Sequence, residues 1–308
     1  MKETKIKLNP QDLIDISFEQ LGTKEKKWVT SVHDKSKRYL LKFSKASTGE
    51  HWSEYIAYKL CRVLNIPCAT YEIINYAGRW AVISENLIED GYEMVMGNEF
   101  LYKCFPTVYP QPVNFCSRIN QHTISQVKQG LENVQIKESW GFPSNFTSFD
   151  IFCGYLLLDA LISNQDRHHE NWAVLYYHET QTYFLCETYD HAASLGRELT
   201  PERRKTLLTS KDQGQRLPKF VSKARSEIFN NDTDKKPLLT LDAFCLTLNM
   251  LDEEIQRYWI NKISYLKEDS IREILDEIDN EAMDQDTKNF VYEMIIENRN
   301  RIKKNVIK

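Results

Sequence analysis

The 308-residue chain contains no apolar run near the ~18 residues that a membrane-spanning helix needs, so no membrane span is expected. Its opening, Met1-Lys2-Glu3-Thr4-Lys5, is charged and leads into no apolar stretch, so no signal peptide is expected either. No Cys-x-x-Cys pair occurs. The seven cysteines (Cys61, Cys68, Cys104, Cys116, Cys153, Cys186 and Cys245) are odd in number, and several lie within apolar runs. That pattern suits buried thiols in a reducing, cytoplasmic compartment and speaks against a disulfide frame. His168, His169, His178 and His191 fit no zinc spacing. A strong charge of either sign is also missing. At a net charge of −4 no global attraction to nucleic acid or membranes arises, and no direct DNA binding is expected. With 27% charged and 42% hydrophobic residues, the composition is that of a soluble globular protein. The length is high for one domain and comfortable for two lobes.

The chemistry concentrates between Ile162 and Asp190. Apolar residues recur at helical spacing from Phe149 to Ile162 and predict a buried helix. The helix runs into the polar loop Ser163-Asn164-Gln165-Asp166-Arg167-His168-His169-Glu170-Asn171. Two strand-like runs follow, Trp172 to Tyr177 and Tyr183 to Cys186, with a turn at 178–182 between them. Tyr189-Asp190 comes next. An Asp, an Asn five residues later and a second Asp form the set that phosphoryl transfer requires. Asp166 can accept the proton of an attacking hydroxyl. The Asn171 side-chain carbonyl and the Asp190 carboxylate can hold Mg2+, a hard cation that takes few protein ligands, all oxygen. An Asp/Asn-rich loop that only caps helices is the plain alternative. Helix, loop, hairpin and second Asp in this order favour the catalytic reading.

On these residues the chain resembles the HipA-like branch of the Ser/Thr kinases over about residues 15 to 230. Asp166-Arg167-His168-x-x-Asn171 is also similar to phosphatidylinositol kinases. The resemblance implies an α+β, two-lobed protein-kinase-like fold (HipA-like). A small β-rich N-lobe over 1–88 would be followed by a mostly helical C-lobe over 89–308. It implies ATP and Mg2+ as cofactors, with Asp166 as catalytic base, Asn171 and Asp190 as Mg2+ ligands, and His168 supporting the loop. A purely structural imidazole remains open for His168.

The same resemblance assigns Lys42, near the end of the strand-like Arg38 to Phe43, to the nucleotide phosphates. Such a lysine needs a carboxylate to hold it. Glu54, in a predicted helix from His51 to Leu64, is the choice, with Glu50 one turn earlier as the alternative. Gly22, Thr23 and Lys24 stand where the family keeps its phosphate-covering loop. Glycine is scarce there, since Gly22 is the only one from Leu21 to Thr30. The family's regulatory autophosphorylation serine has no counterpart in that stretch, and Thr23 is the only hydroxyl before Thr30. Glu85 and Leu87 fall where the hinge backbone would meet adenine.

Other segments read more plainly. Residues 102–146, broken by prolines, read as a surface connection with a short helix from Ser125 to Val134. After Asp190 the chain turns basic, with nine cations from Arg197 to Arg225 against Glu198, Glu202 and Asp212. That is either a solvated helix face or a rim for an acidic substrate. Thr200-Pro201-Glu202 predicts a capped helix start. Residues 238–308 read as helical throughout.

The reading is an ATP-dependent Ser/Thr protein kinase of HipA-like type, capable of autophosphorylation. It would be either a stand-alone effector kinase or the toxin of a toxin–antitoxin set. As a toxin it would have small antitoxin or N-subdomain-like partners and a translation-related protein substrate. The alternatives are a phosphatidylinositol-type lipid kinase and a non-catalytic nucleotide-binding pseudokinase.

Overall fold

The computed structural model describes residues 8–19, 25–112 and 119–307. Gly22, Thr23 and Lys24 lie outside them. The N-terminal part is a five-stranded antiparallel sheet, in the order β1-β2-β3-β5-β4. Its strands are β1 (Leu13–Glu19), β2 (Lys26–Ser31), β3 (Tyr39–Phe43), β4 (Tyr71–Tyr76) and β5 (Arg79–Glu85). Gly78, at φ 79°, makes the β4–β5 turn. Helix α1 (Glu50–Leu64) packs against β4 and β5. Asn65 ends it in the left-handed conformation (φ 58°), and the Ile66 N–H returns to the Cys61 carbonyl at 2.8 Å.

A second, three-stranded sheet follows, in the order β6-β7-β8. It joins β6 (Tyr92–Met96) to the predicted hairpin, β7 (Ala173–Tyr177) and β8 (Thr182–Leu185). The rest is helical: α2 (Gly97–Cys104), α3 (Ile124–Gly130), α4 (Ser148–Ile162), α5 (Pro201–Thr209), α6 (Leu217–Val221), α7 (Thr240–Leu248), α8 (Glu253–Ser264), α9 (Glu268–Asp276) and α10 (Gln285–Val306). Thr200 caps α5 as its sequence predicts, accepting the Arg203 N–H at 3.2 Å.

The hub is α4, buried along all 15 residues, so its sequence shows no polar face. A capping box starts it. The Thr147 hydroxyl accepts the Asp150 N–H, and the Asp150 carboxylate accepts the Thr147 N–H. Gly154 lets α8 approach, because a Cβ there would meet the Trp259 ring at 2.4 Å. The Trp259 indole donates to the Asp150 carbonyl at 2.9 Å.

Residues 102–146 are no plain surface connection. They bury Tyr109, His122, Val127, Leu131 and Trp140. His122 is held at both ring nitrogens, with its Nδ1–H on the Glu227 carbonyl (2.9 Å) and its Nε2 accepting from the Trp172 indole (3.2 Å). The segment anchors by single residues, so it carries no periodicity to read.

Candidate active site

The loop between α4 and β7 is shaped by a buried ion pair. Asp159, one turn from the end of α4, receives two hydrogen bonds from Arg167. They run from Nε at 2.8 Å and from Nη2 at 2.9 Å, and both side chains are fully buried. Burial opposes the Arg167 charge, but Asp159 outweighs it and holds the guanidinium above its ordinary pKa. Arg167 Nη1 donates to the Asn171 carbonyl at 2.5 Å, and Asn164 Nδ2 to Asp159 at 2.8 Å. One acid thus fixes both ends of the loop. A lone Asp in the apolar run Leu156-Leu157-Leu158-Asp159-Ala160-Leu161 was a sequence signal for this pair, and the sequence reading passed over it.

On that frame the loop residues converge. Asn171 Nδ2 donates to the Asp166 carbonyl at 2.6 Å, which fixes the orientation of its side-chain amide. The Asp166 carboxylate is about two-fifths exposed, and His168 Nε2 stands 3.7 Å from its Oδ1. His168 Nδ1 accepts the Glu170 N–H at 3.1 Å, so its proton sits on Nε2 and faces Asp166. Burial pushes the His168 imidazole down to about 4, although Asp190 and Glu227 pull the other way. The ring is therefore neutral at pH 7.

Across the cleft, Lys42 on β3 stands with its Nζ 3.5 Å from Glu54 Oε1 and 3.9 Å from Asp190 Oδ1. Lys42 and Glu54 are buried, and Asp190 is partly exposed. The other Glu54 oxygen accepts the His191 N–H at 2.7 Å. Burial raises the Glu54 pKa, but Lys42 and His191 win, and its carboxyl stays below the ordinary range. Glu50, the alternative partner, is committed elsewhere. It accepts the Lys45 N–H at 2.9 Å and pairs with Arg197. Asp190 adopts φ 56°, a left-handed conformation unusual outside glycine that aspartate tolerates better than most. Its N–H donates to Tyr71 Oη at 3.3 Å, and the Tyr71 ring lies 5.7 Å from Lys42 Nζ.

Lys42, Glu54 and Asp190 therefore form one cluster, while Asp166, His168 and Asn171 share one loop. Glu85 ends β5 opposite Tyr39, and its side chain pairs with Lys37 at 2.8 Å. Leu87 is half-buried two residues beyond. The donor set suits Mg2+, because one carboxylate and one amide oxygen are hard ligands. Among the described residues no group of three His, Cys, Asp or Glu is arranged to hold a metal by itself.

No protein-family model matches the chain, and no curated protein matches it in sequence. Solved structures do match. The Helicobacter pylori proinflammatory kinase CtkA aligns with a TM-score of 0.70 at 17% identity, over 97% of this chain and 94% of that one. A chain of the Shewanella oneidensis MR-1 toxin–antitoxin complex of HipA, HipB and operator DNA aligns with a TM-score of 0.56 at 11% identity. There the alignment covers 95% of this chain but only 63% of the other. At such identities the likeness speaks for the fold alone, and the chain has the two-lobed, α+β kinase fold of CtkA and HipA.

Proposed function

We propose that the protein is a Mg-ATP-dependent kinase of HipA-like type that phosphorylates a Ser or Thr hydroxyl of a protein. One observation carries the reading: Lys42, Glu54 and Asp190 meet within 4 Å across the lobes. A buried Lys–Glu pair next to an exposed-edge Asp is costly to maintain and has little purpose in a scaffold.

In this reading Lys42, steadied by Glu54, contacts the nucleotide phosphates. Asn171 Oδ1 and the Asp190 carboxylate would hold the metal. Bound Mg2+ neutralises phosphate charge during transfer. Asp166 orients the acceptor hydroxyl. The hydroxyl oxygen forms its bond to the γ-phosphorus, the bond from that phosphorus to the bridging oxygen of ADP breaks, and the proton passes to Asp166. His168, neutral and with its Nε2–H turned to Asp166, positions that carboxylate. Most of the rate gain comes from positioning and charge stabilisation. The exposed cations Arg203, Arg216, Lys219 and Lys223, beyond Asp190, favour an acidic protein surface as substrate.

The test is intact mass after incubation with Mg-ATP, for the wild type, Asp166→Ala and Asp190→Ala. A gain of phosphate in the wild type alone supports the reading, and loss of the base lowers the rate by about 10²–10⁴-fold. Absence of Mg-ATP binding refutes it. Copurification with products of neighbouring genes separates a toxin with a small partner from a stand-alone effector. Among the described residues no helix is long and apolar enough to cross a membrane.

A further inference from the structure

Asp190 stands at φ 56°, and a residue other than glycine persists in the left-handed region only where its surroundings over-determine it. Here the surroundings come from the N-terminal part of the chain. Residues 67–69, which lead into β4, run beside Thr188. The Thr188 N–H donates to the Pro67 carbonyl and the Ala69 N–H to the Thr188 carbonyl, both at 3.0 Å. Two residues on, Tyr71 Oη receives the Asp190 N–H at 3.3 Å. The His191 N–H ends on Glu54 at 2.7 Å. The amides of residues 188, 190 and 191 are thus each taken up from outside their own segment. Lys42, Glu54 and Asp190 all have a part in the chemistry above, and Tyr71 so far has none.

The sheet register explains how Tyr71 reaches the site. It pairs with Ser84 on β5, and Lys42 on β3 pairs with Val82 of the same strand. Side chains two apart along a strand share a face, as do cross-strand partners, so Tyr71 and Lys42 lie on one face of the sheet. The Tyr71 ring accordingly sits 5.7 Å from Lys42 Nζ, within cation–π range. The length of the side chain carries its hydroxyl on to Asp190. Tyr71 is 1% exposed. Burial and the Glu54 charge push its hydroxyl well above the ordinary range, so it is un-ionised at pH 7 and adds no charge to the cluster. A phenylalanine would offer Lys42 the same ring without a polar atom to bury. The oxygen is what the Asp190 contact needs.

We propose that Tyr71 is a positioning residue for the metal: by accepting the Asp190 N–H it holds that backbone, and with it the Asp190 carboxylate, where it can share a divalent cation with Asn171. The proposal rests on the kinase reading. Groups that orient a metal ligand typically contribute about 10–100-fold to metal affinity.

The test uses the full chain saturated with ADP, with Mn2+ as the probe, titrated by electron paramagnetic resonance. In Tyr71→Phe we expect Mn2+ to bind at least about tenfold more weakly. Affinity for ADP without metal, measured by calorimetry, is unchanged. The variant removes one oxygen and keeps the ring beside Lys42. Tyr76→Phe is the control, since Tyr76 lies on the same strand with its hydroxyl on Asp15 at 3.2 Å, and it leaves Mn2+ binding at the wild-type level. In an Asp190→Ala background Tyr71→Phe has no further effect on Mn2+, because it acts through Asp190. A merely structural tyrosine would lower Tm and leave the Mn2+ affinity of the folded protein as it was, and that result overturns the proposal. So does an undiminished loss in the Asp190→Ala background. A wild type that binds neither ADP nor Mn2+ would instead overturn the kinase reading, and the proposal with it.

Discussion

Removing the Asp159 charge tests whether the catalytic loop is braced from below. In Asp159→Asn the Arg167 guanidinium, fully buried, loses its counter-charge and keeps at most one of its two hydrogen bonds to this position. Breaking a buried pair in this way costs about 3–5 kcal/mol, because the surviving charge is left without compensation. Unfolding entropy is about 2.1 cal/mol/K per residue, so for a chain of 308 residues that loss lowers Tm by roughly 5–8 °C. The assay is thermal unfolding at pH 7.5, paired with phosphate transfer at a temperature where both proteins are folded. Activity should fall by about 100-fold or more, since a loop displaced by an ångström loses its near-attack geometry. The double variant Asp159→Leu with Arg167→Met separates the two effects. An apolar pair of similar volume restores part of the Tm. It leaves Asn164 Nδ2 and the Asn171 carbonyl without their partners, so activity stays low. A Tm for Asp159→Asn within about 2 °C of the wild type would refute the reasoning.

Two further outcomes follow from the geometry. Burial holds His122 down to about 3 and His168 down to about 4, so both stay neutral in the folded protein while an unfolded histidine titrates near its ordinary value. As pH falls from 6.5 towards 5 the unfolded chain gains protons that the folded chain refuses. Each ring then costs up to about 2 kcal/mol at pH 5, and Tm should drop over that window, above the range where carboxylates titrate. His122→Gln should flatten the profile, and an unchanged slope would exclude His122 as a source. Separately, Gly97→Ala places a Cβ 2.3 Å from the Trp172 ring and 2.5 Å from the His169 carbonyl, so the β7 end of the catalytic loop must shift. Differential scanning fluorimetry should show a loss of about 1–3 kcal/mol, the usual cost of overpacking. Wild-type stability there would mean that the ring moves freely.

The helix, loop and hairpin around Asp166 were legible because the change in polarity there is abrupt. A mostly apolar helix gives way to nine polar loop residues and then to a hairpin, and strand and helix bounds followed within a residue or two. Long-range pairing was less legible. The strand Tyr92–Met96 pairs with residues 173–177, and no local pattern announces a partner some eighty positions away. The strand Leu13–Glu19 went unread because it is a sheet edge with a bulge between Asp15 and Ser17, and it leaves Ile14 and Ile16 partly in solvent. Glu50 and Glu54 sit four apart on one helix face, so spacing alone could not choose between them. What decided was Arg197, some 150 residues on, which pairs with Glu50 and leaves Glu54 to Lys42.

That division of labour extends along the whole of α1. The Gly49 N–H at its start donates to the Arg197 carbonyl at 2.9 Å, Ser53 Oγ meets Ser194 Oγ at 2.7 Å, and Glu54 receives the His191 N–H at 2.7 Å. The segment after Asp190 is thereby fastened to the helix that carries Glu54. From the opposite end of the chain, Glu277 accepts from Tyr55 Oη and from Lys59 Nζ, both at 2.7 Å, and His51 Nε2 meets the Ala282 carbonyl at 3.0 Å. At about 0.5–1.5 kcal/mol net for each bond, these contacts together oppose any swing of α1 by on the order of 5 kcal/mol. A helix held that firmly keeps Glu54 on Lys42 in the resting protein. The lysine cluster is then a standing part of the fold, because α1 is held from one side by residues 191–197 and from the other by Glu277 and Ala282.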